Sequence, residues 1–373
     1  MPKPTAKDVA REAGVSVSTV SRALSGRARI SEATKRRVLE TADRLGWSPN
    51  LVARSLVNRG TRTLALFMPD ITNPFFAAIA RGVADAVDAN GYALVLCNTD
   101  GSLDGHSRYA GLLRGSFVDG VVLCGTAGPT EELAGLIPAG LPTVVVDGVV
   151  PGLKADSVRV DNRFGGVLAT QHLISLGCSR ILHLGGPRGA LTAEERWMGY
   201  REALGDRYDP GLVSRGPFRA ESGYVRTRAA LREGLVFDGI FAANDLLALG
   251  ALQALGEAGR AVPEEVKVVG FDDIYMASLS RPQLTTVAQP TYRMGTIAGR
   301  MLLERLSSSR ADLAGCGEGL AGRSEGLAGR SEGLAGRDPD AAGPVQGVVA
   351  PVQDVVLEPV LRVRGSTAAR PGR

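Results

Sequence analysis

A small all-α head followed by a two-lobed α/β core with parallel sheets is the fold class this sequence predicts, and three observations carry it. Residues 1–62 hold 13 Lys/Arg against 5 Asp/Glu, a net of +8, whereas the other residues carry a net of −4. Helical spacing of apolar residues, broken by Gly and Ser, fills residues 5–46. From Leu64 onward short β-rich apolar runs alternate with helical stretches, in two successive sets. At 373 residues the chain exceeds one ordinary domain, and 44% hydrophobic residues suffice for a sizeable core.

The head reads as three helices. Thr5 caps the first, Asp8 completes a capping box, and Val9, Ala10 and Ala13 form its apolar stripe. Gly14 permits a sharp reversal, and Ser16 caps a second helix from about Val17 to Leu24. The third starts at Ser31, buries Val38, Leu39, Ala42 and Leu45, and stops at Gly46.

In the core the first set of runs is LALFMPD, YALVLCNT, GVVLCG and PTVVVD. After a crossing near Val160 the second set is RILHLGG, GIFAAND and VKVVGFDD. Runs of this kind with helices between them form βαβ units, whose parallel strands are buried on both faces. Two sets imply two similar lobes with a cleft between them. A helix from Thr291 to Leu306 and a last strand from Val355 to Val363 close the core. Between them, residues 307–352 contain GLAGRSE, GLAGRSE and GLAGRD in tandem. Their period of seven is no coiled coil: each repeat has one Leu and two Gly, and Gly costs about 1 kcal/mol per helical position relative to Ala. A flexible, solvated insertion is expected there.

Several classes are disfavoured. Cys97, Cys124, Cys178 and Cys316 show no paired spacing and read as reduced thiols, mostly buried. His106, His172 and His183 form no metal spacing, and neither a nucleophile elbow nor a phosphate loop appears, so no enzyme, metal or cofactor is expected. No apolar signal segment opens the chain and no run approaches the ~18 apolar residues of a membrane span, so a cytoplasmic protein is expected.

The stretch DVAREAGVSVSTVSRAL, Asp8 to Leu24, has the layout of a helix-turn-helix. Val9, Ala10, Val15, Val20 and Leu24 pack the two helices, leaving Ser16, Ser18, Thr19, Ser21 and Arg22 outward, small or basic as a groove-inserting face must be. With the basic head, this points to nucleic acid as the partner. Residues 3–62 resemble the DNA-binding headpiece of the LacI/GalR family of bacterial regulators. The resemblance continues through LGWSPNLVARSL, PDITNPFF, DNRFGG, FAANDLLALGAL, VVGFDDI, PQLTTVAQP and LEPVLRVRGST, leaving out only residues 307–352.

The resemblance implies a headpiece over 1–48, a hinge helix and linker over 49–62, and a periplasmic-binding-protein-like core over 63–366. One lobe would take about 63–160 and 291–306, the other about 161–288 and 355–366. It also implies a homodimer that represses an operon from a near-palindromic operator. By position, Val17, Ser18 and Arg22 fall on the base-reading slots. Arg22 suits a bidentate guanine contact, Val17 a thymine methyl and Ser18 either base class. Ser16, Thr19 and Ser21 fit phosphate contacts. Asn50, Ala53 and Leu56 match the hinge helix, with Leu56 as a minor-groove wedge. For the effector cleft the matching positions are Asn73, Phe75, Asp147, Thr192, Arg196, Phe218, Asn244, Asp272 and Thr291. Their carboxylates, amide and guanidinium are bidentate partners for adjacent hydroxyls, and the two Phe rings offer faces to a sugar. The competing structural roles are helix caps at Asp245 and Asp273, and a simple Asp272–Arg196 pair.

The tail after Ser366, TAARPGR, lacks leucine heptads, so a dimer is expected rather than a tetramer. A sugar-type effector that releases the operator is the leading expectation, and Asn244-Asp245 in FAAND favours it. The alternatives are a regulator co-repressed by a metabolite such as a nucleobase and, from another class, a plain small-molecule receptor, which the basic head argues against.

Overall fold

The computed structural model describes residues 4–25, 30–47, 60–115, 117–125, 130–321 and 351–368. The chain divides into two compact units, residues 1–61 and 62–373.

Among the described residues, the first unit has three helices, α1 (Ala6–Glu12), α2 (Val17–Ser25) and α3 (Glu32–Arg44). The Asp8 carboxylate accepts from the Thr5 backbone N–H at 3.0 Å and the Thr5 hydroxyl at 2.7 Å, so the first turn is closed as its sequence requires. Gly14 has φ +65° at the reversal, and Ser16 Oγ accepts the Thr19 N–H at 3.1 Å to start α2. Ser31 caps α3 through the Thr34 N–H, and Gly46 ends it at φ +63°. Val9, Ala10, Ala13, Val20, Ala23, Val38 and Ala42 form the core. Leu39 corrects the expected stripe: it is 40% exposed. One residue on from Val38 is a rotation of about 100°, which carries Leu39 off the face that Val38, Thr41 and Ala42 share.

Among the described residues, the second unit is built on two six-stranded sheets. Sheet one contains β1 (Thr63–Met68), β2 (Ala93–Asn98), β3 (Gly120–Cys124), β4 (Thr143–Val146), β5 (Asp156–Val160) and β11 (Asp354–Leu357). Sheet two contains β6 (Ile181–Gly185), β7 (Val213–Arg215), β8 (Gly239–Ala242), β9 (Lys267–Asp272), β10 (Thr285–Ala288) and β12 (Val360–Arg362). Their spatial orders are β11-β5-β4-β3-β1-β2 and β12-β10-β9-β8-β6-β7, so one wiring is used twice. Every pairing is parallel except β10 with β12. Strand β1 shows why its run is apolar throughout. Leu64, Leu66 and Met68 pack on one face with Ile79, Val83 and Leu302, while Ala65 and Phe67 pack on the other with Val121 and Leu123.

The chain crosses between lobes after β5, after β10 and between β11 and β12. The last crossing corrects the single strand expected over Val355–Val363 in the second lobe. Glu358 and Pro359 interrupt it, and its first half pairs with β5 in sheet one. The preceding helix also differs: it runs from Thr291 to Ala321, past Leu306 and into the first repeat at Gly319. The remaining repeats, within 322–350, lie outside the described residues. The chain's return into β11 is fastened by Arg305, which donates to both Asp156 oxygens at 2.6 and 2.8 Å and to the Pro351 carbonyl at 2.6 Å. Cys97, Cys124 and Cys178 are free and buried. Among the described residues no helix is long and apolar enough to cross a membrane.

Candidate functional site

In the first unit, the outer side of α2 carries the residues expected to meet nucleic acid. Ser16, Val17, Ser18, Ser21 and Arg22 are exposed and Thr19 is half-buried. Val17 is 45% exposed, so this valine does not serve the core. Ser16 Oγ lies 2.8 Å from both Ser18 Oγ and Thr19 Oγ1, joining three hydroxyls at the N-terminus of α2. Backbone N–H groups and hydroxyls at such an end suit a phosphate. Asn50, Ala53 and Leu56 lie outside the described residues.

In the second unit, loops at the C-terminal ends of the strands of both lobes face a cavity of about 240 Å³. This is where open α/β sheets bind ligands. Eight of the nine residues expected there line it: Asn73, Phe75, Asp147, Thr192, Arg196, Phe218, Asn244 and Asp272. Thr291 does not. It opens the long helix beyond Pro290, and the residue of that segment that reaches the charged groups is Gln289.

One asparagine in each lobe caps the helix that follows its strand, Asn73 after β1 and Asn244 after β8. Asn73 Oδ1 accepts the Phe75 N–H at 3.1 Å, capping the helix Pro74–Asp88. Asn244 Oδ1 accepts the Leu247 N–H at 2.9 Å, capping Asp245–Glu257. Capping commits each carbonyl end and leaves the amide N–H₂ as the end for a ligand.

Arg196 is 3% exposed and heavily partnered. Its Nε donates to Asn162 Oδ1 at 2.8 Å, and its Nη1 donates to the Ala243 carbonyl at 2.6 Å and to Asp272 Oδ1 at 3.4 Å. The guanidinium also lies over the Phe271 ring, 3.8 Å from its centre. The helices that carry Arg196 and Asn162 approach closely at two glycines. A Cβ on Gly166 would collide with the Arg196 carbonyl, and one on Gly199 with that of Arg163. Asp272 also accepts from Gln289 Nε2 at 2.8 Å, and burial pushes its carboxyl up to about 6 against the pull of Arg196.

Asp147 stands apart. It is 6% exposed, and its Oδ1 is buried with no hydrogen-bond partner. Burial pushes its carboxyl up to about 7; Arg196 opposes the shift, and the Asp272 charge adds to it. Its φ of +60° and the +111° of Asp272 lie in the region that side chains avoid. Both carboxylates are therefore held at strand ends in costly backbone conformations. Asp245 is structural: its carboxylate accepts from the Ile274 N–H at 2.9 Å and the Thr286 hydroxyl at 2.5 Å. Asp273 pairs with Arg364 at 2.7 Å.

Sequence reasoning missed Asp70, Phe76, Asp100 and Arg219, which also line the cavity. The strand-end placement that Asp147 and Asp272 share holds also for Asp100, just beyond β2. Phe76 is the second Phe of NPFF.

A helix-turn-helix unit and a two-lobed core with a polar cleft define a DNA-binding regulator with a ligand-binding domain. Comparison with known proteins agrees. Residues 5–50 match the lacI family of bacterial regulatory proteins, and residues 170–315 match the periplasmic binding protein-like domain. The ribose operon repressor of Halalkalibacterium halodurans is 36% identical over 308 residues, covering 83% of this chain and 92% of the relative. The HTH-type transcriptional regulator CelR of Thermobifida fusca is 39% identical over 320 residues, 83% of this chain and 94% of the relative. Among solved structures, a transcriptional regulator CelR–cellobiose complex superposes with a TM-score of 0.66 at 34% identity, over 97% of this chain and 99% of that one. The chain belongs to the LacI family, whose members are DNA-binding regulators and not enzymes.

Proposed function

We propose that this protein is a dimeric repressor of a carbohydrate-utilisation operon, released from its operator when a neutral saccharide binds in the cleft. The observation that carries the reading is the unpartnered Asp147 Oδ1, buried beside Arg196, Asn244 and Asp272 and facing the same cavity as Phe75 and Phe218. A buried carboxylate oxygen without a donor calls for one from the ligand, and hydroxyls on an apolar ring supply it. Four carboxylates, Asp70, Asp100, Asp147 and Asp272, against Arg196 and Arg219 disfavour an anionic sugar. The relatives, a ribose operon repressor and a regulator solved in complex with cellobiose, point the same way.

A second copy is proposed to cover the edge of sheet one, where Ile71, Val95 and Leu96 are exposed beside a groove formed with Ala77 and Ala84. Two copies place two recognition helices on a pseudo-palindrome. Val17, Ser18 and Arg22 would read bases while Ser16, Thr19 and Ser21 grip phosphates. Lobe closure would change the spacing of the two headpieces and shift the equilibrium towards release.

Calorimetry with cellobiose, ribose, their phosphates and hypoxanthine tests the ligand class. Binding of a neutral saccharide, with weaker binding of its phosphate, is expected; binding of hypoxanthine alone would overturn the reading. Arg22→Ala should cost about 1–3 kcal/mol in operator affinity and relax one base pair per half-site in a selection experiment. An unchanged sequence preference would remove Arg22 from base reading.

A further inference from the structure

Two of the three lobe crossings each bring one buried amide to the charged pair of the cleft. Asn162 follows β5, where the chain leaves sheet one, and is 2% exposed. Its Oδ1 accepts from Arg196 Nε at 2.8 Å, and its Nδ2 donates to the carbonyl of Val160, the last residue of β5, at 3.2 Å. Gln289 follows β10, where the chain returns to the first lobe, and is 5% exposed. Its Nε2 donates to Asp272 Oδ1 at 2.8 Å. Its own carbonyl accepts the N–H of Thr291, which opens the helix running back over sheet one.

The chemistry is complementary. One amide offers its acceptor end to the cation, and the other offers its donor end to the anion. Aspartate at 162 could not donate to Val160, and glutamate at 289 could not donate to Asp272. Neither amide lines the cavity, so neither is explained by ligand contact. Burying an amide costs free energy that an aliphatic residue of the same shape avoids. The third crossing is tied to the first by the Asp161 N–H to the Leu357 carbonyl, 3.1 Å.

We propose that Asn162 and Gln289 are positioning residues that couple the Arg196–Asp272 pair to the angle between the lobes. A turn at either crossing displaces its amide and the charged group bonded to it. Conversely, a ligand that pulls on Arg196 or Asp272 turns the crossings. The inference rests on the cleft being the effector site. Its test uses no ligand, so its failure is distinguishable from a wrong effector class.

The test places spin labels at Arg114→Cys and Arg232→Cys, exposed positions in the two lobes, in the full chain with Cys316→Ser. Interlobe distances are then measured with and without Asp272→Asn, in the native background and in Asn162→Leu/Gln289→Met. In the native background Asp272→Asn should move the mean distance by on the order of 2 Å, the scale of packed-element shifts. Without the amides most of that movement should vanish. An equal shift in both backgrounds, or none in the native one, overturns the proposal. If Asn162→Leu fails to fold, Asn162→Ser replaces it. A second readout separates positioning from packing: Gln289→Met alone should raise the Asp272 carboxyl further above about 6 by carbon NMR, and an unchanged titration counts against the proposal.

Discussion

The two lobes share one wiring, yet they bring different things to the cleft. The second lobe supplies a bonded network, with Arg196 bonded to Asn162, Ala243 and Asp272, and Asp272 held in turn by Gln289, whose own Oε1 is buried without a partner. The first lobe supplies Asp147, with a buried oxygen and no donor. Charged groups already bonded to each other are held in place, whereas an orphan carboxylate oxygen costs free energy until something donates to it. In our account the ligand therefore meets a preorganised second lobe, and closure of the first is driven by filling the open valence at Asp147. The headpiece sharpens the contrast, for the hydroxyls of Ser16, Ser18 and Ser21 are exposed and carry no such penalty.

The largest effect should come from breaking the bonded side. Arg196→Ala leaves Asp272 buried without its cation, and should destabilise the second unit by about 3–5 kcal/mol in denaturant unfolding. A loss below about 1 kcal/mol would mean that the network is not preorganised. On the open side, Asp147→Asn should cost little stability but weaken saccharide binding by about 1.5–3 kcal/mol, the worth of a hydrogen bond to a charged group. Near-native affinity in a titration would relieve Asp147 of its role.

Stability should also depend on pH through these carboxyls. Both have values raised from 3.8, to about 7 for Asp147 and about 6 for Asp272, so the folded state holds protons that the unfolded chain releases. Their contribution is fully present below pH 3.8 and is lost as pH rises through about 6 and then about 7. Asp147→Asn should remove the upper part of that decline from melts recorded between pH 5 and 8, and an identical pH profile would argue against it. The smallest effect belongs to Thr291→Ala. Away from the cleft, it should leave stability within about 0.5 kcal/mol and ligand affinity unchanged.

Much of this was legible in the sequence because burial on both faces leaves a continuous apolar run, and because capping residues announce helix starts. All nine cleft positions were carried over from the family resemblance and eight of them line the cavity, with Asp147 and Asp272 at strand ends. What escaped were features set by tertiary partners. Glu358-Pro359 splits one apparent strand between two sheets, which local pattern cannot reveal. Leu39 looks apolar enough for the core until its rotation from Val38 is counted. Asn162 and Gln289 carry no signal of their own: an amide beside a strand end reads as a turn residue, and only folding brings it to Arg196 or Asp272.

The most direct test is calorimetric titration of the tightest-binding saccharide of the panel at pH 6 and pH 8, with wild type and Asp147→Asn. If binding requires the ionised Asp147 carboxylate, a value of about 7 predicts roughly tenfold tighter binding at pH 8 for wild type, since apparent affinity scales with the competent fraction. Asp147→Asn should bind more weakly and keep no more than the roughly twofold change that Asp272, at about 6, allows. Wild-type affinity that does not change with pH, or a variant that keeps the full pH dependence, would contradict the account.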